Sequence, residues 1–294
     1  MATSRTATTP DGHELWAQQS GDPGGSPVLL VMGAASSSAV WPPGLVERLG
    51  RRHRVIVWDH RDTGRSSTSA GREPYALTDL AADAVVVLDA VGVPEAHVVG
   101  MSMGGLLTQL LLLDHPERLL SATLFCTGPL PGAEAPGDAA PAPAPELLAL
   151  WAQLGEERDE AAEMDFRLRH WRLLNGRGVP FDEAEFRALE ERVVAHGGRM
   201  DASSATAHAR AGTSGLARGA ELRDVRTPVL VVEAPEDPAY PPPSAQLLEA
   251  AIGDGTSTRR VAVPGMGHAL AAAVLGPLLD AVEAHVDAVD GSGG

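Results

Sequence analysis

Three residues have the types and surroundings needed for acyl transfer through a covalent intermediate. They are Ser102 in Gly100-Met101-Ser102-Met103-Gly104, Asp237 in Glu233-Ala234-Pro235-Glu236-Asp237-Pro238, and His268 in Pro264-Gly265-Met266-Gly267-His268. A serine hydroxyl is a poor nucleophile until a base takes its proton, and the imidazole that does so needs an acid to orient it. The G-x-S-x-G spacing suits a sharp strand-to-helix turn, because a Cβ at either glycine would crowd the crossing. Such a turn lifts the hydroxyl to the carboxyl end of a sheet, at the positive N-terminus of the next helix.

The surrounding sequence supplies the elements for that placement. "EAHVVGMS" reads as a strand and "GGLLTQLLLLDHP" as the helix after it, so Ser102 falls between them. "TPVLVVEAPEDP" is a strand ending at Asp237, and "TRRVAVPGMGH" is another whose glycine-containing loop places His268 over the sheet before a long terminal helix. Glu233 and Glu236 compete for the acid role, but Asp237 precedes a proline, where the chain must turn away. The other histidines sit in helical or loop contexts that favour solvated or core roles. Earlier in the chain, "GHELWAQQSG", "SPVLLVMG" and "HRVIVWDH" are strand-like and Pro10-Asp11-Gly12 is a turn signal; "YALTDLAADAVVVLDAVGV" is a helix with a glycine stop and "LLSATLFCT" a further strand. Apolar strands alternating with helices predict a mostly parallel sheet with helices on both faces.

The rhythm breaks after residue 126. "TGPLPGAEAPGDAAPAPAP" is Pro- and Ala-rich and is expected to be a mobile connection. "ELLALWAQLG", "EERDEAAEMDFRLRHWRLLNG" and "DEAEFRALEERVVAHGG" then have helical patterns without a credible strand. The expected organisation is an α/β core over residues 1–126 and 223–294, interrupted by a helical insertion over 127–222. The backbone after "PVLLV" should provide the oxyanion hole, with the N–H groups of Ala34 and Met103 as donors and Gly33 letting the loop turn.

Composition narrows the alternatives. A hydrophobic fraction of 44% with 21% charged residues is that of a globular protein, and the net charge of −16 argues against nucleic-acid or anionic-membrane partners. Every basic residue is arginine, which excludes Schiff-base, pyridoxal-phosphate-lysine and P-loop-lysine chemistry. The single cysteine, Cys126, cannot form an internal disulfide and reads as a small buried hydrophobe. No signal peptide, membrane span, metal spacing or cofactor loop is apparent, so the expectation is a cytoplasmic protein without metal or cofactor.

The order Ser102…Asp237…His268 is that of an α/β-hydrolase triad. Within that superfamily the chain resembles the anthracycline methylesterases of the aclacinomycin type, from about residue 11 to about residue 285. The resemblance rests on "LLVMGAASSSAVWP", "VIVWDHRDTGRSS", "LAADAVVVLDAVGVPEAHVVGMSMG", "FDEAEF", "APEDP" and "VPGMGHAL". "DHRDTGRS" is the most selective of these, the wider superfamily having a shorter D-x-R-G-x-G-x-S form. The resemblance implies an α/β-hydrolase fold with an inserted helical cap, and a cleft between sheet and cap that holds a flat polyketide-derived aromatic ester. Ser102, Asp237 and His268 would be the triad, removing a methyl ester in antibiotic tailoring. The ester carbon of such substrates is attached to a benzylic position beside a quinone system, so the freed carboxylate can go on to lose carbon dioxide. Two departures from the family pattern are Ala34-Ala35, in place of a Gly-Asn pair, and the "APGDAAPAPAP" stretch.

Gly33, Ala35, Trp151, Phe166, Trp171 and Phe181 are the expected substrate-facing residues, with most insertion aromatics, Phe186 included, packing the cap's own core. Arg61 and Arg65 are expected to pair structurally with Asp59 or Asp62. Aspartate-nucleophile chemistry, as in haloalkane dehalogenases and epoxide hydrolases, is disfavoured by Ser102. A lactonase, a cofactor-free perhydrolase and a non-catalytic ligand-binding relative remain open on the residues alone.

Overall fold

The structure, a computed structural model, describes residues 2–133, 140–197, 203–253 and 257–292. Its strands are β1 (Thr3–Thr8), β2 (Glu14–Gly21), β3 (Pro27–Val31), β4 (Arg54–Trp58), β5 (Ala96–Met101), β6 (Leu119–Phe125), β7 (Val229–Glu233) and β8 (Thr258–Ala262). The α-helices among these residues are α1 (Pro43–Leu49), α2 (Leu77–Ala90), α3 (Met103–Asp114), α4 (Pro145–Trp151), α5 (Glu160–Leu174), α6 (Glu183–Gly197), α7 (Ser203–Arg210), α8 (Ser244–Ile252) and α9 (Ala272–Asp290).

The strands form one sheet in the order β1-β2-β4-β3-β5-β6-β7-β8. Only β2 runs against its neighbours; the pairs from β4 through to β8 are parallel. Side chains alternate across a pleated strand, so an uninterrupted apolar run feeds two cores at once. In β3, Leu29 and Val31 enter one core with Leu107 of α3 and Leu248 of α8. Val28 and Leu30 enter the other, with Leu45 of α1, Leu278 of α9, and Leu147, Leu168 and Phe186 of the inserted helices. The parallel register brings Val31 beside Gly100, Met101 beside Phe125, and Phe125 beside Val232. The loops that follow these strands therefore emerge along one edge of the sheet.

The turn at Pro10–Gly12 closes a hairpin whose first strand, β1, has no counterpart in the apolar patterning. Only Ala7 of β1 is buried. An edge strand with one solvent face carries little hydrophobic signal, and pairing with β2 holds it. The helices inserted between β6 and β7 occupy Pro145–Arg210, whereas Leu130, Leu216 and Leu222 pack into the sheet's own core. The ends of the expected 127–222 insertion thus belong to the sheet domain. Residues 134–139, inside the connection expected to be mobile, and 293–294 of the tail lie outside the described residues.

Burial also sets an acid limit on stability. His60 is fully buried with Nδ1 unpartnered, and His285 is buried with Nε2 unpartnered. Burial, reinforced by neighbouring basic groups, pushes both from the ordinary 6.5 down to about 4. Above pH 6.5 both are neutral whether the chain is folded or not. As the pH falls through 6.5 the unfolded chain takes up protons that the folded chain refuses until about pH 4. Each histidine should then cost about 1.4 kcal/mol of stability per pH unit across that window. Urea midpoints at pH 7.5 and pH 5 should show the loss; equal midpoints would rule it out.

Candidate active site

β5 ends at Met101 and α3 begins at Met103, so Ser102 makes the turn alone. Its backbone lies at φ 58°, ψ −121°, a region that residues with a Cβ rarely adopt. Packing enforces that geometry. The Ser102 N–H donates to the Phe125 carbonyl at 3.1 Å, and the Ser102 carbonyl accepts from Gly105 and Leu106 at 2.9 and 3.2 Å. A Cβ on Gly104 would overlap the carbonyl oxygens of Val31 and Met32, and one on Gly100 would overlap Thr108 Oγ1 and the Gly104 backbone. Both glycines of the motif are required by close approach.

His268 Nδ1 donates to Asp237 Oδ2 at 2.9 Å and lies 3.0 Å from Oδ1. A carboxylate partner puts the proton on Nδ1, which leaves the Nε2 lone pair free to act as a base. Asp237 Oδ1 also accepts the N–H groups of Ala239 and Tyr240 at 2.7 and 3.0 Å. Burial of Asp237 opposes its ionisation, but His268 and these amides outweigh it and hold the carboxyl below its usual range. The Tyr240 ring stacks on His268 with centroids 6.1 Å apart. Glu233 is occupied by Gln246 and Arg260, and Glu236 is exposed, so neither reaches the imidazole.

Ser102 and His268 line the same cavity. Among the described residues no hydrogen bond joins Ser102 Oγ to the ring, whose hydrogen bonds run to Asp237. Cys126 Sγ, an Asp237 oxygen and a His268 nitrogen lie within 4.8 Å of one another. The Nδ1–H···carboxylate bond already uses the His268 and Asp237 atoms of that trio. Burial, then Asp237, pushes the Cys126 thiol well up, so it stays protonated.

Gly33 faces Ser102 closely: a Cβ there would sit 3.2 Å from Ser102 Cβ. Among the described residues neither the Ala34 N–H nor the Met103 N–H has a hydrogen-bond acceptor. Two unpaired N–H donors next to a serine hydroxyl form an arrangement that can hold an oxyanion. Ala35, at φ 59°, donates its N–H to His208 Nδ1 at 2.8 Å.

Above these groups lies a cavity of about 400 Å³, within the range of small-molecule sites. Gly33, Ala34 and Ala35 form its floor with Ser102 and His268, and Trp151, Phe166 and Trp171 stand in its cap wall. Phe181, expected to face substrate, is not among the lining residues. It stacks at 4.9 Å on Phe186, which stacks at 5.4 Å on Trp171, so Phe181 stands two rings behind the wall. Helical spacing identifies a packed face but not which ring of a stack is outermost.

The cavity also contains groups that the sequence did not single out. Trp151 Nε1–H donates to His170 Nε2 at 2.9 Å, which fixes the His170 proton on Nδ1. Burial, with His268 and Arg167, holds His170 neutral, at about 4. Glu190 accepts from Trp171 Nε1 at 2.5 Å and from Arg167 at 2.8 Å, and Arg167 bonds Glu163 at 2.9 Å. These charges satisfy one another, which leaves the wall apolar in character.

The loop 59–66 seats the cap. Asp59 accepts Ser38 N–H and Oγ at 2.7 Å each, Arg65 N–H at 2.8 Å and His196 Nε2–H at 2.7 Å. Arg61 and Arg65 are structural; the Arg65 N–H meets Asp59, but both guanidinium groups have partners other than those expected. Arg61 bonds Asp83 and Asp11, while Arg65 donates Nε to the His196 carbonyl and lies over Trp16. Local donors already fill Asp59 and Asp62: Ser69 N–H and Oγ, with Tyr75 Oη–H, take up Asp62.

The sequence profile of the alpha/beta hydrolase fold matches residues 26–271. Rhodomycin D methylesterase DnrP of Streptomyces peucetius is 42% identical, covering 95% of this chain and 97% of that protein. Rhodomycin D methylesterase DauP of Streptomyces sp. strain C5 has the same identity and coverage. Among solved structures, an esterase from Exiguobacterium antarcticum superposes with a TM-score of 0.77 at 17% identity, over 97% of this chain and 100% of that one.

Proposed function

The chain belongs to the α/β-hydrolase fold family, and from that premise we propose that it removes the methyl ester of an anthracycline-type polyketide, in the cytoplasm, during antibiotic tailoring. The observation that carries this reading is the pair of unpaired N–H groups beside Ser102, beneath an aromatic-walled cavity. The near full-length similarity to two rhodomycin D methylesterases supports the substrate class.

Ser102 Oγ attacks the ester carbonyl as His268 Nε2 takes its proton, and the tetrahedral oxyanion rests on the Ala34 and Met103 N–H groups. His268 returns the proton to the departing methoxy oxygen, and methanol leaves an acyl-Ser102. Water, deprotonated by His268, attacks that acyl group, and the free acid departs as Ser102 regains its proton. The C–CO₂ bond of the acid then breaks, its electron pair spreading from the benzylic carbon into the quinone system before a proton replaces it. No group beyond this chain's own residues is needed for the ester steps.

A panel of glycosylated anthracycline methyl esters should show methanol release with a first product lighter by one methylene unit, followed by one lighter by a further carbon dioxide. Esters that bind without being cleaved would make the protein a ligand-binding relative instead.

A further inference from the structure

We infer that His208, on cap helix α7, is a positioning residue that aims the Ala34 N–H at the oxyanion, working with His60 of the sheet domain. This rests on the esterase reading above.

Three successive peptide units carry the effect. The outer two are clamped. The carbonyl of the 32–33 unit, on Met32, accepts from His60 Nε2–H at 2.9 Å. The N–H of the 34–35 unit, on Ala35, donates to His208 Nδ1 at 2.8 Å. The middle unit bears the Ala34 N–H, which has no acceptor. A Cβ on Gly33 would press on Ser102 Cβ at 3.2 Å. The glycine that avoids this contact has a freer backbone than any residue with a side chain, at the place where an oxyanion donor must not swing. Clamping both flanking units removes that freedom, and it also holds Ala35 in its left-handed conformation.

The chemistry of His208 suits the task. Its Nε2–H donates to the Arg61 carbonyl at 2.9 Å, so Nδ1 is an acceptor facing the Ala35 N–H. Arg61 follows His60 in the chain, and the two rings meet edge to face with centroids 6.0 Å apart. One short backbone segment thus orients both clamps. Burial lowers the basicity of both histidines, which keeps each neutral, and the carbonyl facing each Nε2 fixes the tautomer.

Two substitutions separate the hydrogen bonds of His208. The oxygen of Asn stands where Nδ1 does and can still accept from Ala35; the amide nitrogen of Gln stands near Nε2 and can donate only to Arg61. The readouts are kcat and KM on a cleaved methyl ester, and the affinity for a trifluoromethyl ketone whose adduct with Ser102 places an oxyanion in the hole. His208→Gln should lower kcat about 10–100-fold and weaken the ketone by a similar factor, with KM little changed. His208→Asn should recover most of both. Wild-type kcat and ketone affinity in His208→Gln would overturn the inference, as would His208→Asn being damaged equally. If a variant at 208 fails to fold, His60→Gln, which keeps a donor for Met32, is compared with His60→Leu; equal activities would overturn it. A wild-type protein that captures the ketone but cleaves no methyl ester would remove the esterase reading and leave the positioning role standing.

Discussion

Ser102→Ala should reduce methanol release by about 10⁴–10⁶-fold, leaving only what the oxyanion donors and binding contribute. Binding should survive, because the alteration removes one oxygen from a turn held by the Phe125 carbonyl and by glycine contacts. Decarboxylated product should disappear with it, since a methyl ester has no carboxylate to lose. Chemically prepared free acid separates the two steps. If it loses carbon dioxide equally with wild type, with Ser102→Ala and without protein, the second step occurs in solution. If it is stable throughout, the protein is an esterase only. Methanol release at the wild-type rate from Ser102→Ala would sink the serine mechanism.

Asp237→Asn should lower kcat by about 10³–10⁴-fold with little change in KM. The local hydrogen bonds dictate why. Oδ1 accepts two backbone N–H groups, from Ala239 and Tyr240, so the carbonyl oxygen of an asparagine must take that place. Its NH₂ group then faces His268 Nδ1, which forces Nδ1 to accept and moves the ring proton to Nε2. The imidazole is held in place but cannot take the Ser102 proton. Glu233→Gln and Glu236→Gln should have mild effects, because Glu233 serves Gln246 and Arg260 and Glu236 is exposed. Near-normal turnover in Asp237→Asn would mean that another carboxylate orients the base.

The candidate triad was legible because each residue lies in the turn or loop after a strand, beside glycine or proline. Ser102 comes directly after β5, Asp237 after β7 and before Pro238, and His268 after β8 and behind Gly267. The interior strands were equally plain: β3, β5 and β7 are buried on both faces and have no polar alternation to confuse the pattern. The signal failed where burial was one-sided or the residues were small. β1 is a polar edge, and α7 is built from Ser, Ala, Thr, His and Arg with only His208 buried. His208 itself could not be read as functional. It acts on a backbone N–H 173 residues away, and no local pattern encodes that contact. Arg61 illustrates the same limit: its role was correctly structural, but Asp83 and Asp11 reach it only through the fold.

The cap's anchorage bears on how new specificities can arise on this scaffold. The carbonyl of Leu174, the last residue of α5, accepts the N–H groups of His268 and Ala269 at 2.7 and 3.0 Å. His208 of α7 holds Ala35, and His196 of α6 holds Asp59. A wholesale graft of a foreign cap would bring a different pocket but sever the struts that register His268 and the loop at Gly33–Ala35. Diversification without loss of turnover is therefore channelled into single exchanges at inward-facing positions such as Trp151 and Phe166, with the helix ends kept as they are.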